Sequence, residues 1–296
     1  MDPVADTRHL TLATGATVHA LVHVGVGEGR PKCLFLHGNP GSLSHFGELI
    51  PLLSPFADIV AMDMPGFGLS ERSEPAPENL GLDRLAEHAV AVADVLGWRD
   101  PFYLVGHSHG GGVAQVAAAR WPERVAGLVL LGTLGAPAHA SYRLLALPGA
   151  ETVVRAAAAL FGASSWQWVS RAILRQAMSE MFAPEPLRRE RLERELRLLA
   201  RRPEILVAMV HVALGKPCER LLQAAGDIRC PTLFLHGTDD AIVPSSCARA
   251  IHDRIVGAGG TSHFELIDGA GHMLMEHQAA DVARHVRHHL SAWEAA

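Results

Sequence analysis

The sequence predicts an α/β fold in which a mostly parallel, doubly wound sheet carries a helical insert after its sixth strand. Short apolar runs that stop at glycine or at a turn alternate with helical patterns near both ends of the chain. This alternation is typical of parallel strands that are buried on both faces. Over residues 135–216 the pattern is helical throughout, and this stretch is too long to be an ordinary connecting loop.

The predicted strands are short and apolar, and they fall into two groups separated by the helical stretch. They are residues 9–12, 17–24, 33–36, 59–62, 102–105, 125–131, 232–235 and 264–267. Helical periodicity lies between them at 82–98, 113–120, 246–255 and 279–293, and within the insert at 153–161, 166–182 and 187–200. We therefore expect residues 1–134 and 217–296 to form one domain, with 135–216 as a lid inserted into it and not an independent domain.

Composition and charge exclude several functional classes. Hydrophobic residues make up 49% and charged residues 19% of the 296 positions, which is the balance of a globular protein. A formal charge of -5 does not give the excess of positive charge that is typical of nucleic-acid-binding proteins. No apolar run is long enough to cross a bilayer. The acidic start, residues 1–6, lacks the layout of a secretory signal, so we expect a cytoplasmic protein.

Cysteine and histidine positions predict neither a metal site nor a cofactor. The 4 cysteines are scattered, without C-x-x-C spacing, and we expect them to be small buried residues. The 18 histidines include no H-E-x-x-H motif and no cysteine–histidine cluster. The partner that remains is a small-molecule substrate.

The central motif is a G-x-S-x-G pattern at residues 106–110, with Ser108 in the middle. A predicted strand leads into it and a predicted helix follows, which is the context in which such a serine is an exposed nucleophile. The flanking glycines, which have no Cβ, let the strand and the helix approach closely. A bare match is common by chance, and a serine that only caps the helix is the alternative.

A nucleophilic serine needs a base, and the base needs an acid that orients it. In this type of fold the partners follow in the order serine, acid, histidine, each after a later strand. Asp239 and Asp240 follow the strand at 232–235, and His272 follows the strand at 264–267 in a glycine-flanked loop. All of these positions fall at the carboxyl edge of the sheet, where open α/β sheets bind ligands.

Two backbone N–H groups are expected to form an oxyanion hole at the same edge. One belongs to His109, the residue after the nucleophile, and the other to Asn39, in the loop after the third strand. The alternative for the second segment is a plain turn, since Asn-Pro-Gly favours one.

Taken together, five segments resemble the α/β-hydrolase superfamily, in its lid-bearing, esterase-like serine hydrolase branch. They occur in the family's order at residues 37–41, 63–70, 106–110, 237–244 and 269–272. The resemblance implies the α/β-hydrolase fold with a helical lid after the sixth strand. The Gly-x-x-Asp-x-x-Val-Pro register favours Asp240 over Asp239 as the acid, so the implied catalytic triad is Ser108, Asp240 and His272.

Departures from particular branches narrow the chemistry. The His-Gly-Asn-Pro segment at 37–40 is similar to the halide-binding segment of haloalkane dehalogenases, but those enzymes use an aspartate followed by tryptophan where this chain has Ser108 and His109. Epoxide hydrolases of this fold draw on two lid tyrosines, whereas this chain has only Tyr103, in a predicted strand, and Tyr142. Esters, thioesters, lactones and activated carbon–carbon bonds remain.

Large apolar side chains of the insert are candidates to line the substrate pocket, together with His107 beside the nucleophile. They are Phe161, Trp166, Trp168, Met178, Met181 and Phe182. The alternative is that they attach the lid helices to the sheet. The arginine-rich helix at 187–200 is expected to be a solvated face, with an anionic acyl carrier as the alternative ligand.

The sequence thus predicts a serine hydrolase that cleaves a carboxylic ester, thioester or lactone with a hydrophobic acyl or aromatic group through an acyl-enzyme. An acyltransferase or cyclase, or a carbon–carbon bond hydrolase, would use the same triad. A catalytically silent ligand-binding protein of this fold is the alternative outside the enzymes.

Overall fold

The computed structural model describes residues 4–25, 29–72, 74, 76–162 and 167–295, without the side chains of residues 4, 5, 141, 160–162, 167, 169 and 170. In this part of the chain eight strands form one sheet in the order β1-β2-β4-β3-β5-β6-β7-β8. Their bounds are β1 Val4–Thr11, β2 Thr17–Val24, β3 Lys32–Leu36, β4 Asp58–Met62, β5 Phe102–His107, β6 Val125–Leu131, β7 Thr232–Gly237 and β8 Ser262–Ile267.

Strand β2 pairs antiparallel with β1 and β4, whereas all pairs from β4 to β8 are parallel. The predicted mostly parallel α/β sheet is therefore confirmed. The described helices are α1 Ile50–Leu53, α2 Pro77–Leu80, α3 Leu82–Val95, α4 His109–Arg120, α5 Ala140–Leu145, α6 Ala150–Gly162, α7 Gln167–Phe182, α8 Arg189–Arg201, α9 Glu204–Leu214, α10 Pro217–Ala224, α11 Ser245–Gly257, α12 Leu274–His277 and α13 Ala279–Glu294.

The sheet is covered on both faces because successive side chains of a strand point to opposite sides. In β3, Leu34 and Leu36 belong to one apolar cluster, and Cys33 and Phe35 belong to another. Helices α3, α4, α10 and α11 supply the first cluster, and α1, α12 and α13 supply the second. Each large side chain buried in this way stabilises the fold by about 1.5–3 kcal/mol.

The helices α5 to α9 lie between β6 and β7, the place where the sequence predicts a helical insert. The insert packs against both apolar clusters: Ile205 and Val212 of α9 join the first, and Met178, Phe182 and Leu192 join the second. The insert therefore sits across the carboxyl edge of the sheet instead of extending into solvent. Its role as a lid stays a prediction.

The topology brings four loops to that edge. Strand β3 leads to Asn39, β5 to Ser108, β7 to Asp240 and β8 to His272. Among the helices described, none has the length and apolar character needed to cross a membrane.

Candidate active site

Ser108 occupies a strained turn between β5 and α4. Its φ of 51° and ψ of -115° lie outside the regions that residues with a side chain normally adopt. Neighbouring backbone fixes this conformation: the Ser108 N–H donates to the Leu131 carbonyl at 3.0 Å, and the Ser108 carbonyl accepts from the Leu134 N–H at 3.1 Å. The last residue of β6 and the segment that follows it thus hold the serine in place.

Glycine is required around this turn because the backbones nearly touch. A Cβ on Gly106 would lie 2.5 Å from the carbonyl oxygen of Gly110, and a Cβ on Gly110 would overlap the carbonyl oxygen of Leu36. A Cβ on Gly38 would lie 3.2 Å from the Cβ of Ser108. The G-x-S-x-G spacing therefore reflects packing of β5, α4 and the loop after β3 around a single residue.

His272 and Asp240 are in direct contact. The Nδ1 atom of His272 lies 2.8 Å from Oδ2 of Asp240, and both side chains are almost completely buried. The other carboxylate oxygen of Asp240 accepts from the backbone N–H groups of Ile242 at 2.9 Å and Val243 at 2.8 Å. Asp239 is exposed and accepts from the Thr238 hydroxyl, so the structure places Asp240 and not Asp239 against the histidine.

The electrostatics of Asp240 favour its charged form. Burial acts to raise its pKa, but the charge of His272 and hydrogen bonds from His236, His272 and Val243 outweigh burial and hold the pKa well below its usual value. Asp240 is therefore a carboxylate throughout the neutral range, and it accepts the Nδ1 proton of His272. This leaves Nε2 of His272 as the ring's acceptor.

His236 was not singled out by the sequence analysis, although it directly follows a buried strand segment. It is fully buried at the end of β7, and its Nε2 lies 2.8 Å from the Val243 carbonyl oxygen and 3.2 Å from Oδ2 of Asp240. The His236 ring therefore helps to hold in position both Asp240 and the turn that carries Asp240. A histidine immediately before the Gly-x-x-Asp turn was the available signal.

His107 joins the serine turn to the loop of His272. Its Nε2 donates to the backbone carbonyl of His272 at 3.0 Å, and the two ring centroids are 4.7 Å apart. Burial, and then the charge of His272, hold the pKa of His107 well below its ordinary value, so the ring is neutral. A Cβ on Gly132 would lie 3.4 Å from Oδ2 of Asp240, so the end of β6 also adjoins the histidine–aspartate pair.

One expected oxyanion donor, His109, follows Ser108 directly, and the other, Asn39, follows Gly38, on which a Cβ would lie 3.2 Å from the Cβ of Ser108. His109 is the first residue of α4, where backbone N–H groups have no acceptor within the helix. The loop of Asn39 is held by His37, whose Nδ1 donates to the Gly38 carbonyl at 2.7 Å and whose Nε2 accepts from the Met64 N–H at 2.9 Å. Burial lowers the pKa of His37, which keeps the ring in the neutral form that these two bonds require.

The predicted pocket residues of the insert divide into different environments. Met178 and Phe182 are buried in the second apolar cluster, and Met181 is half-buried against it. Trp168 is 73% exposed, so the structure does not bring it to the catalytic edge. Trp166 and the side chain of Phe161 lie outside the described residues.

The insert contacts the loop that carries His272. Ala183 follows the last residue of α7, and its carbonyl oxygen contacts Gly271, the residue before His272. Ser108 is 6% exposed and His272 is 3% exposed. In the described part of the chain, no group of three histidine, cysteine or acidic side chains is arranged to hold a metal ion.

Comparison with known proteins shows the family to which the chain belongs. The family described as "alpha/beta hydrolase fold" matches residues 34–278. A 2-hydroxymuconate semialdehyde hydrolase of Pseudomonas putida is 31% identical over 244 residues, covering 80% of this chain and 78% of that protein. The chain therefore belongs to the α/β-hydrolase family and is a hydrolase of that fold.

Solved structures show the same fold at lower identity. The 2-hydroxy-6-oxo-6-phenylhexa-2,4-dienoate hydrolase from Rhodococcus sp. strain RHA1 has a TM-score of 0.79 at 20% identity, covering 98% of this chain and 99% of that chain. A thermophilic esterase from Thermogutta terrifontis has a TM-score of 0.73 at 23% identity, with the same two coverages. The known activities of the two proteins differ, so this likeness supports the fold and not a substrate.

Proposed function

We propose that this hydrolase cleaves a carboxylic ester, thioester or lactone through an acyl-enzyme formed on Ser108. The observation that carries the proposal is the buried contact between His272 and Asp240 at the sheet edge that also presents Ser108 in a strained turn. A protein that only binds a ligand has no need of a carboxylate behind a histidine. The pair is the arrangement that converts a serine hydroxyl into a nucleophile.

In the first half of the reaction, Nε2 of His272 takes the hydroxyl proton of Ser108 while the serine oxygen attacks the carbonyl carbon. The carbonyl oxygen becomes an oxyanion, which accepts hydrogen bonds from the N–H groups of Asn39 and His109. Each such donor contributes about 3 kcal/mol to the transition state. Asp240 stabilises the imidazolium that forms.

Collapse of this intermediate returns the proton from His272 to the leaving group and leaves the acyl group on Ser108. Water then attacks the acyl-enzyme, and His272 accepts one of its protons. The acid is released when the serine oxygen recovers that proton. The complete cycle consumes one water molecule for each bond that is cleaved.

A carbon–carbon bond hydrolase is the second candidate, and the 31% identity to a semialdehyde hydrolase over most of both chains favours it. It would use the same three residues on a carbonyl next to a carbon leaving group. Transfer of the acyl group to an alcohol or amine is the variant in which another acceptor replaces water.

The test combines covalent labelling with turnover. A fluorophosphonate probe should add one equivalent of mass to the wild type and none to Ser108→Ala, and Ser108→Ala should lose turnover of a nitrophenyl ester. The matched control is Ser291→Ala, an exposed serine on α13. Retained activity of Ser108→Ala would overturn the proposal, whereas turnover of a ring-fission ketone but not of esters, thioesters or lactones would select the second candidate.

A further inference from the structure

The segment that follows β6 runs along the whole reaction centre. It starts at Gly132, beside Asp240 and His272, and at Leu134 its backbone N–H donates to the Ser108 carbonyl. It then reaches His139, which precedes α5, and Tyr142 within α5. The first residues of the insert are therefore neighbours of the catalytic groups.

Two side chains of this segment form a polar wall next to the oxyanion donors. The ring of His139 packs edge-on against Tyr142 with centroids 4.6 Å apart. The Tyr142 hydroxyl lies 3.4 Å from Nδ1 of His109 and interacts with the side chain of Asn39. The wall thus joins His139 and Tyr142 to the same two residues whose backbones are expected to hold the oxyanion.

Several polar atoms of the wall are buried without a partner. His139 is only 8% exposed, and in the described part of the chain neither of its ring nitrogens has a hydrogen-bond partner. The same holds, within the described residues, for Nε2 of His109 and Oδ1 of Asn39. Buried polar groups in native proteins are almost always paired, so these atoms beside the reaction centre are available to hydrogen-bond a polar ligand or water.

The protonation states define what this wall can bind. Burial, and then the charge of His272, lower the pKa of His139 to about 4, and burial lowers the pKa of His109 to about 3. Burial raises the pKa of Tyr142 above its ordinary value, so its hydroxyl keeps its proton. At neutral pH each ring offers one donor and one acceptor and no charge, which complements a hydroxyl group better than a carboxylate or an ammonium group.

We propose that His139 and Tyr142 bind a hydroxyl group of the substrate that lies within a few atoms of its scissile carbonyl. The inference rests on the proposed serine mechanism and makes it more specific: the substrate is a hydroxylated acyl compound and not a plain alkyl or aryl ester. His139 is a specificity-determining residue in this assignment. It adds polar groups near the carbonyl to the mostly apolar side chains that the sequence predicts for the pocket.

The experiment compares matched substrates that differ by one hydroxyl. The acyl-side pair is naphthyl butyrate and naphthyl 3-hydroxybutyrate, and the pair for the leaving group is ethyl butyrate and 2-hydroxyethyl butyrate. The ratio of kcat/KM within each pair is measured for the wild type, for His139→Phe, which keeps an aromatic ring against Tyr142, and for His288→Phe, a control on the exposed side of α13.

We expect the wild type and His288→Phe to prefer the hydroxylated member of at least one pair by about tenfold or more, the effect of a hydrogen-bonded substrate hydroxyl. His139→Phe should abolish that preference, because it lowers kcat/KM for the hydroxylated ester about tenfold more than for the unsubstituted ester. The pair that shows the effect identifies the side on which the hydroxyl lies.

Wild-type turnover without a preference in either pair would overturn the inference while leaving the serine mechanism intact. An equal loss on both members of a pair in His139→Phe would also overturn it, because it would show a packing role. Failure of the proposed mechanism is distinguishable, since then no ester of either pair would show turnover that depends on Ser108.

Discussion

Asp240 receives two imidazoles on one oxygen: Nδ1 of His272 lies 2.8 Å, and Nε2 of His236 lies 3.2 Å, from the same Oδ2 atom. The second ring is also anchored to the carbonyl of Val243. The acid is therefore held by a second imidazole in addition to the base. Without His236, Asp240 should be held less firmly, and His272 should therefore be less well oriented. This effect does not depend on a contact between His236 and the substrate.

The first prediction concerns this brace. His236→Phe should lower the stability of the fold by about 1.5–3 kcal/mol, the usual contribution of a buried hydrogen bond to a charged group. It should also lower kcat by about tenfold, a loss of about 1.4 kcal/mol, because the carboxylate can rotate away from His272. Urea unfolding and ester kinetics measure the two effects. An unchanged kcat in a stably folded variant would contradict the positioning role.

The second prediction concerns the acid itself. Asp240→Asn should reduce kcat by about 10⁴-fold, because an amide can donate to Nδ1 and then stabilises the wrong tautomer of His272. Asp239→Asn is the matched control and should keep nearly full activity, since Asp239 is exposed and its side chain accepts from the adjacent threonine. If Asp239→Asn were the inactive variant, the acid would be misassigned.

The third prediction concerns backbone approach at the serine turn. Gly106→Ala should cost about 3 kcal/mol, since its Cβ would press on the Gly110 carbonyl and no flexible side chain can yield. Gly226→Ala is the control because a Cβ there meets nothing within 4 Å. Thermal unfolding of the two variants measures the contrast. Equal melting temperatures would show that the turn tolerates a wider spacing.

The fourth prediction concerns pH and a histidine far from the site. His88 bonds the Thr14 hydroxyl at 2.8 Å, and burial lowers its pKa from 6.5 to about 4. A group whose pKa is depressed in the fold binds its proton more readily in the unfolded chain, so the stability it contributes is present above pH 6.5 and is lost progressively as the pH falls towards 4.

Between pH 7 and pH 5 this loss should amount to about 1 kcal/mol for His88 once solvent screening is allowed for. His88→Gln keeps a polar group for Thr14 but does not titrate, so its stability should fall less over the same range. Urea unfolding at the two pH values gives the comparison. Parallel losses in both proteins would show that His88 is not the titrating group.

The fifth prediction concerns a buried ion cluster in the insert. Arg191 is almost fully buried on α8, and its guanidinium lies 3.4 Å from Glu195 and 3.3 Å from Glu276 of α12. Burial acts first to raise the pKa of both carboxyls, and Arg191 opposes it. Arg191→Met should destabilise the fold by about 3–5 kcal/mol because it leaves buried carboxylates unpaired.

Combining Arg191→Met with Glu276→Gln should recover part of that loss, because the amide needs no counter-charge. Arg197→Met is the control, as Arg197 is exposed on the same helix. A double variant no more stable than Arg191→Met alone would show that the arginine acts by packing on Phe182, which its guanidinium contacts at 5.3 Å.

The burial of Arg191 is a feature that could not be predicted from the sequence. Strands, helices and the order of the loops follow from short-range apolar periodicity, so the sheet and the loops that carry Ser108, Asp240 and His272 could be predicted. The same periodicity predicts a solvated face for the arginine-rich helix, yet it does not specify which arginine the neighbouring α12 will cover. That depends on contacts between elements distant in the chain.

The polar wall of His139 and Tyr142 is a second feature that could not be predicted from the sequence. His139 lies after a predicted strand without any motif around it, and the sequence predicted an apolar pocket from the large side chains of the insert. Trp168 illustrates the difficulty, since a large apolar residue in an insert can end in solvent. Residue type predicts what can be buried, whereas the path of the chain after β6 decides which side chains adjoin the serine.

The contact between the Ala183 carbonyl and Gly271 has a consequence for the fate of the acyl group. With the insert docked on the loop of His272, Ser108 is 6% exposed. If the insert moves as a lid, the second reactant reaches the acyl-serine when the helices part. The choice between water and another acceptor then depends on which molecule is enclosed as the helices close again. Partition between hydrolysis and transfer would be a property of the insert's movement rather than of the three reacting side chains.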